Sequence, residues 1–278
     1  MTRDPLLPLD RASVFFDGIF SEPRLAHPEC VAIAPDGAVW CGSESGAIHR
    51  VAPDGSAIET VASTGGFILG IAFDAAGRLY CCDLRHAAVF RLDTAQGTLE
   101  RLDGSAPIGA PNLPVVDEAR GVLYVSDSHA AGEPGVGVWR LDLATGECSP
   151  WWPEPLVFAN GMVLDRGGDA LLVVESFARR VVRFPIGADG SAGAPTVVAE
   201  GIARVPDGLT QGPDGTLYVS CYEPSQIYRI TPGGQPELLI DDPEAHLLCH
   251  PTNSALRGEE LIVANLGRWH LTRVALGT

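Results

Sequence analysis

A unit of about 45 residues recurs along the chain and constrains its fold more than any other feature. Each copy has an apolar run, a turn with Gly or Asp, an apolar strand, a short loop, and a strand in which an arginine precedes an apolar residue. Taking Trp40, Tyr80, Tyr124, Leu172, Tyr218 and Ile262 as equivalent positions gives spacings of 40, 44, 48, 46 and 44 residues. Arg50, Arg91, Arg140, Arg183, Arg229 and Arg273 follow these markers by 10, 11, 16, 11, 11 and 11 residues, in segments such as IHRV, VFRL, VWRL and IYRI. A fourth, more variable strand follows most copies. No segment of helical period competes with this pattern. Six four-strand copies of this length predict an all-β fold, a six-bladed β-propeller with four antiparallel strands per blade. The last copy stops after its third strand. The segment SVFFDG, about residues 13–18, is therefore expected to supply the missing outer strand and close the ring. Residues 1–278 read as a single domain.

Composition narrows the function classes. Hydrophobic residues make up 46% of the chain and charged residues 19%, enough for a sizeable core. The net charge of −16 argues against nucleic-acid binding, since phosphates would be repelled. All 19 basic residues are arginine, which excludes Schiff-base chemistry. No apolar run approaches the ~18 residues a membrane helix needs. Acids and prolines break the N-terminal segment where a secretory signal needs an apolar core. Five of the seven cysteines, Cys30, Cys41, Cys81, Cys82 and Cys221, lie in apolar runs, and no CxxC pair occurs. The expectation is a reduced cytoplasmic protein with buried thiols, a monomer or small homo-oligomer, with no membrane partner.

In a propeller the start of each inner strand and the loop between strands two and three share one face. Here that face carries the longer loops, such as DSHAAGEPGVG from Asp127 and NLGRWH from Asn265. Tight turns, such as the PDG segments at Pro35 and Pro213, mark the other face. Function is expected on the varied loops. The chain has four asparagines, Asn112, Asn160, Asn253 and Asn265. Asn112 and Asn160 precede their strand markers by 12 residues, Glu29 and Asp207 by 11, and Asn253 by 9, while the second copy has Leu69-Gly70 there. Read as one position at the mouth of each inner strand, these side chains converge on the propeller axis. Two carboxylates and two or three amide oxygens form a hard-oxygen cage for a divalent ion, calcium best, with magnesium, manganese or zinc as alternatives. The competing reading is a hydrogen-bonded polar plug.

The segments HPEC from His27, FANGMVLD from Phe158 and VPDGLTQGPDG from Val205 resemble the regucalcin (senescence marker protein)/gluconolactonase family of six-bladed, metal-dependent hydrolases. The resemblance covers essentially the whole chain. It implies that Glu29, Asn160 and Asp207 bind the metal and that Asn112, in PNLPVVD, lies beside it and contacts substrate or metal. Regucalcin-like sugar lactonases carry an Arg two residues before that Asn and an Asp after it. Ala110 and Leu113 stand there in this chain and make the pocket less polar.

The implied activity is hydrolysis of a sugar-derived or other small lactone or ester, the ion polarising the carbonyl and activating water. Asp207 is the expected general base, with Asn112 and Asn253 holding the substrate carbonyl or ring oxygen. His27 and His250, each before a proline at an inner-strand start, are candidates for the pocket rim. His129, Phe177, Tyr222, Arg268 and Trp269 lie on the long upper loops, where contact with substrate competes with ordinary loop packing. The alternatives are a phosphotriesterase-type hydrolase on the same cage and a non-catalytic ligand-binding propeller with a structural ion. A strictosidine-synthase-like condensing enzyme shares the architecture but has no need of the cage.

Overall fold

The computed structural model describes residues 4–102, 104, 106–129 and 135–277, so part of the loop from Asp127 lies outside the described residues. It contains six four-stranded antiparallel sheets and one short 3-10 helix, Leu9–Arg11. The sheets are the blades of a propeller. Their inner strands are Pro28–Ile33, Ile68–Phe73, Pro111–Asp117, Ala159–Leu164, Val205–Gln211 and Pro251–Arg257, for blades one to six.

The repeat phase read from the sequence is the register of the sheets. Trp40 pairs with Arg50, Tyr80 with Arg91, Tyr124 with Arg140, Leu172 with Arg183, Tyr218 with Arg229, and Ile262 with Arg273. The arginines are structural: Arg50 reaches Asp36 at 2.7 Å, Arg183 reaches Asp165 at 2.9 Å, and Arg229 reaches Glu237 at 2.8 Å. At this exposure such pairs are worth about 0–1 kcal/mol each. Ring closure also follows expectation. The N-terminal strand Ala12–Asp17 pairs antiparallel with His270–Ala275 as the outer strand of blade six.

The second strands are sandwiched between neighbouring blades, which is why they read as unbroken apolar runs rather than alternating ones. Leu79–Asp83 and Ala170–Glu175 are buried at every residue. Tyr124, Trp151, Met162 and Phe184 form one such interblade cluster, with the Trp151 ring 4.9 Å from Tyr124 and 6.0 Å from Phe184. Each fully buried large side chain contributes about 1.5–3 kcal/mol. Among the described residues no helix is long and apolar enough to cross a membrane.

In blades three, four and six the last residue of the second strand ties down the segment that leads into its own blade's inner strand. Asp127 accepts hydrogen bonds from the backbone N–H groups of Gly109 and Ala110, both at 2.8 Å. Glu175 accepts from Val157 at 2.9 Å, and Asn265 Oδ1 from Cys249 at 2.9 Å. Asn265, the fourth asparagine, is thus a framework residue.

Candidate functional site

The inner strands crowd together at the axis, and small residues permit it. A Cβ on Gly161 would lie 2.5 Å from the Asp207 carbonyl oxygen and 2.6 Å from the Leu209 nitrogen. One on Gly208 would lie 2.4 Å from the Thr252 carbonyl oxygen. The residue just before each glycine, Asn160 or Asp207, is carried to the centre of the ring.

Register gives the equivalent positions. Glu29, Leu69, Asn112, Asn160 and Asp207 each lie three residues before the residue paired with the strand-two marker, namely Ala32, Ala72, Val115, Val163 and Thr210. In blade six Ala255 pairs with Ile262, so the equivalent residue is Thr252 and not Asn253. This corrects the sequence reading. Only Gly258 and Glu259 separate the first two strands of blade six, and that shorter turn spoils a count made from the marker. Thr252 donates its hydroxyl to the Glu29 carbonyl at 2.6 Å, and Asn253 Nδ2 donates to the same oxygen at 3.2 Å. Blade six therefore braces the backbone of Glu29.

Glu29, Asn112, Asn160 and Asp207 line one cavity of about 460 Å³. All four side chains are buried, and each has one oxygen with no hydrogen-bond partner: Glu29 Oε2, Asn112 Oδ1, Asn160 Oδ1 and Asp207 Oδ1. The amide nitrogens are engaged by serines, and the Asn160 side chain also hydrogen-bonds Asp207. Asn112 Nδ2 donates to Ser128 Oγ at 2.9 Å and Asn160 Nδ2 to Ser176 Oγ at 3.2 Å. A self-sufficient polar plug would pair the oxygens with donors. These four lack one within the protein, at about 1–3 kcal/mol for each unsatisfied group. A divalent cation would supply the partner these oxygens lack, so the donor chemistry of the residues fits the ion that the resemblance implies. Among the described residues no cluster of three His, Cys, Asp or Glu forms, so the amide oxygens are needed to complete a ligand set.

Electrostatics agree. Burial, with the charge of Asp207 nearby, holds the Glu29 carboxyl well above the usual carboxylate range. Burial pushes Asp207 up from 3.8 to about 7. A cation beside them would favour the ionised form of both carboxylates at neutral pH.

The cavity is built from the loop classes expected to carry function. Ala110 and Phe158 come from segments leading into inner strands and Val205 opens one, while Leu84, His129, Phe177 and Leu266 follow second strands. Leu69 fills the blade-two position that lacks a polar group, and Tyr222 completes the wall. His27 and His250 sit behind this wall and do not line the cavity. His27 Nδ1–H donates to the Leu266 carbonyl at 2.7 Å, and His250 Nδ1–H donates to the Tyr222 carbonyl at 2.9 Å with its ring stacked on Tyr222. Trp269 packs on His27 and Arg268 donates to the Ala245 carbonyl, away from the cavity. The sequence reading missed Ser128 and Ser176, which orient the two amides. Their signal was a serine directly after the acid that ends strand two in both blades three and four.

Fold and site together define a six-bladed propeller with an acidic, amide-bearing cage at its axis. The family described as SMP-30/Gluconolactonase/LRE-like region matches residues 111–262, more than half of the chain, and the protein belongs to that family. A short second match, to the strictosidine synthase-like N-terminal region, covers residues 20–51. Comparison with curated protein sequences gives no match. Among solved structures, a gluconolactonase from Xanthomonas campestris superposes with a TM-score of 0.78 at 19% identity, covering 96% of this chain and 89% of the other. A luciferin-regenerating enzyme gives 0.71 at 19% identity, covering 90% and 91%. The virginiamycin B lyase of Staphylococcus aureus, in a catalytically inactive form with quinupristin, gives 0.66 at 18%, covering 91% and 81%. At these identities the likeness is one of fold.

Proposed function

We propose that the protein is a divalent-metal-dependent ester hydrolase that opens a lactone, with calcium the ion best matched to its cage and magnesium, manganese or zinc as alternatives. The observation that carries this reading is the set of four buried, unpartnered oxygens on the floor of a single cavity. Membership of the gluconolactonase-containing family supports the reaction class. Glu29, Asn160 and Asp207 hold the ion. Asn112 joins them, because its nitrogen is engaged by Ser128 and its remaining polar atom is an acceptor, suited to a cation and not to a substrate carbonyl. Asn253 likewise has its donor committed to the Glu29 carbonyl.

When bound, a divalent ion supplies Lewis-acid polarisation of the ester carbonyl and lowers the pKa of water. Asp207 accepts the proton of the water that attacks the carbonyl carbon. It returns that proton to the ring oxygen as the C–O bond breaks, so that lactone and water become one hydroxy acid.

The test is a panel of lactones and phosphotriesters assayed with and without chelator, beside Asp207→Asn. Chelation is expected to abolish lactone hydrolysis, and Asp207→Asn to lower kcat by about 10²–10⁴-fold. Chelator-insensitive hydrolysis would sink the metal-dependent reading. Turnover of phosphotriesters alone would assign the cage to that chemistry. A bound ion with no hydrolysis of either class would make the protein a ligand-binding propeller.

A further inference from the structure

We propose that the site takes an uncharged lactone or ester bearing an apolar substituent, in preference to a polyhydroxylated sugar lactone, and that Phe158 and Phe177 determine this specificity. The inference rests on the ester-hydrolase reading above and adds the substrate class.

Most polar atoms of the cavity are on its floor or already engaged; the Tyr222 hydroxyl, which feels the charges of Glu29 and Asp207, is the exception among the described residues. Ser128 accepts from Asn112 and donates to the Ala159 carbonyl at 2.8 Å. His129 Nε2–H donates to the Val136 carbonyl at 2.8 Å. Above the floor the wall is hydrocarbon: Leu69, Leu84, Val205 and Leu266 line it, with Ala110 at the place where a longer polar residue would reach in. Among the described residues no arginine lines the cavity. Beyond the reach of the Tyr222 hydroxyl, the several hydroxyls of a sugar lactone would exchange water for this wall with few partners in return, which opposes binding. An alkyl substituent would bury its surface there. A volume of about 460 Å³ exceeds what a bare five- or six-membered ring fills, so there is room for such a group.

Two phenylalanines shape the mouth. Phe158 adopts a left-handed backbone with φ of 65°, a conformation that disfavours any residue with a Cβ. His27 and His250, at the same place before their own inner strands, share it with φ of 47° and 50°, so it belongs to the blade framework. Here it sets the Phe158 ring edge-on against Phe177, with centroids 4.9 Å apart at 66°. Phe177 remains 45% exposed, an aromatic surface beside the cavity that the described residues leave partly open. Both rings line the cavity, and together they offer an apolar flank to a substituent directed out from the floor.

The experiment pairs activity with binding. δ-Decalactone and δ-gluconolactone are compared as substrates of the calcium-loaded protein. Their unreactive lactam counterparts, 6-pentyl-2-piperidone and gluconolactam, are titrated into it by calorimetry. The pentyl compounds are expected to be favoured by about tenfold or more in both kcat/KM and affinity. Phe177→Ala is expected to cost the pentyl lactam about tenfold in affinity and to leave gluconolactam unchanged, while Phe177→Leu keeps most of the preference. Equal or tighter binding of gluconolactam, or no binding of the pentyl lactam, overturns the proposal whether or not anything is hydrolysed. An unaltered preference in Phe177→Ala overturns the role given to the phenylalanine pair. Selective lactam binding without turnover leaves the specificity standing and removes the hydrolase reading.

Discussion

An asparagine side chain carries a donor and an acceptor on one rigid plane, and at Asn112 and Asn160 the two ends do different work. The nitrogens are held by Ser128 and Ser176, which leaves both oxygens facing the cavity floor. Outer hydrogen bonds of this kind typically affect metal affinity by about 10–100-fold. Ser176→Ala is expected to weaken calcium binding by about tenfold with no change in melting temperature of the chelated protein, as read by calorimetry and thermal melts. Unchanged affinity would mean the amide is oriented by packing alone. At this scale the sequence was partly legible. The phase of Glu29, Asn112, Asn160 and Asp207 pointed to one position because backbone register is written in the repeat. Asn253 misled, since its spacing of 9 residues concealed a shorter turn that shifts the register by one. The serines escaped notice because a serine after a strand has no pattern until the fold brings it beside an amide from the blade's inner strand.

The inner strand is the element that converts a repeat into a site. Six of them must meet at the axis, and a residue without a side chain beyond the polar position lets two neighbours close up. Gly161→Ala is expected to destabilise the fold by about 1–3 kcal/mol, because the added methyl meets backbone atoms of the adjacent strand and not a flexible side chain. Chemical denaturation reads that loss. Calcium affinity should fall with it, since Asn160 and Asp207 are carried by the two strands that are forced apart. Retained stability would show that the strands have slack the structure does not suggest. The strands themselves were easy to read, because second strands covered on both faces are continuously apolar. The acids that end them were less so. Asp127 and Glu175 look like loop residues in the sequence, yet they fix the segments leading into the cage.

At the scale of the whole molecule, a net charge of −16 surrounds a core that itself holds two facing carboxylates. Asp207 is raised from 3.8 to about 7 by burial, so the folded chain binds that proton more tightly than the unfolded chain does. Its contribution to the stability of the chelated protein is complete below the unfolded value and is lost as pH rises through about 7. Calcium competes with the same protons, so the stabilisation it confers should grow over that window. Melting curves with calcium or chelator, taken at about pH 5 and about pH 8, are expected to show a wider gap at the higher pH. A gap independent of pH would contradict the coupling. The cage itself is tested most directly by calorimetric titration of calcium into chelator-stripped protein, alongside Asp207→Asn. The account predicts one ion per chain and a loss of about 100-fold or more in affinity in the variant, whose shape is unchanged but whose charge is gone. No binding to the wild-type protein, or equal binding to both, would contradict it.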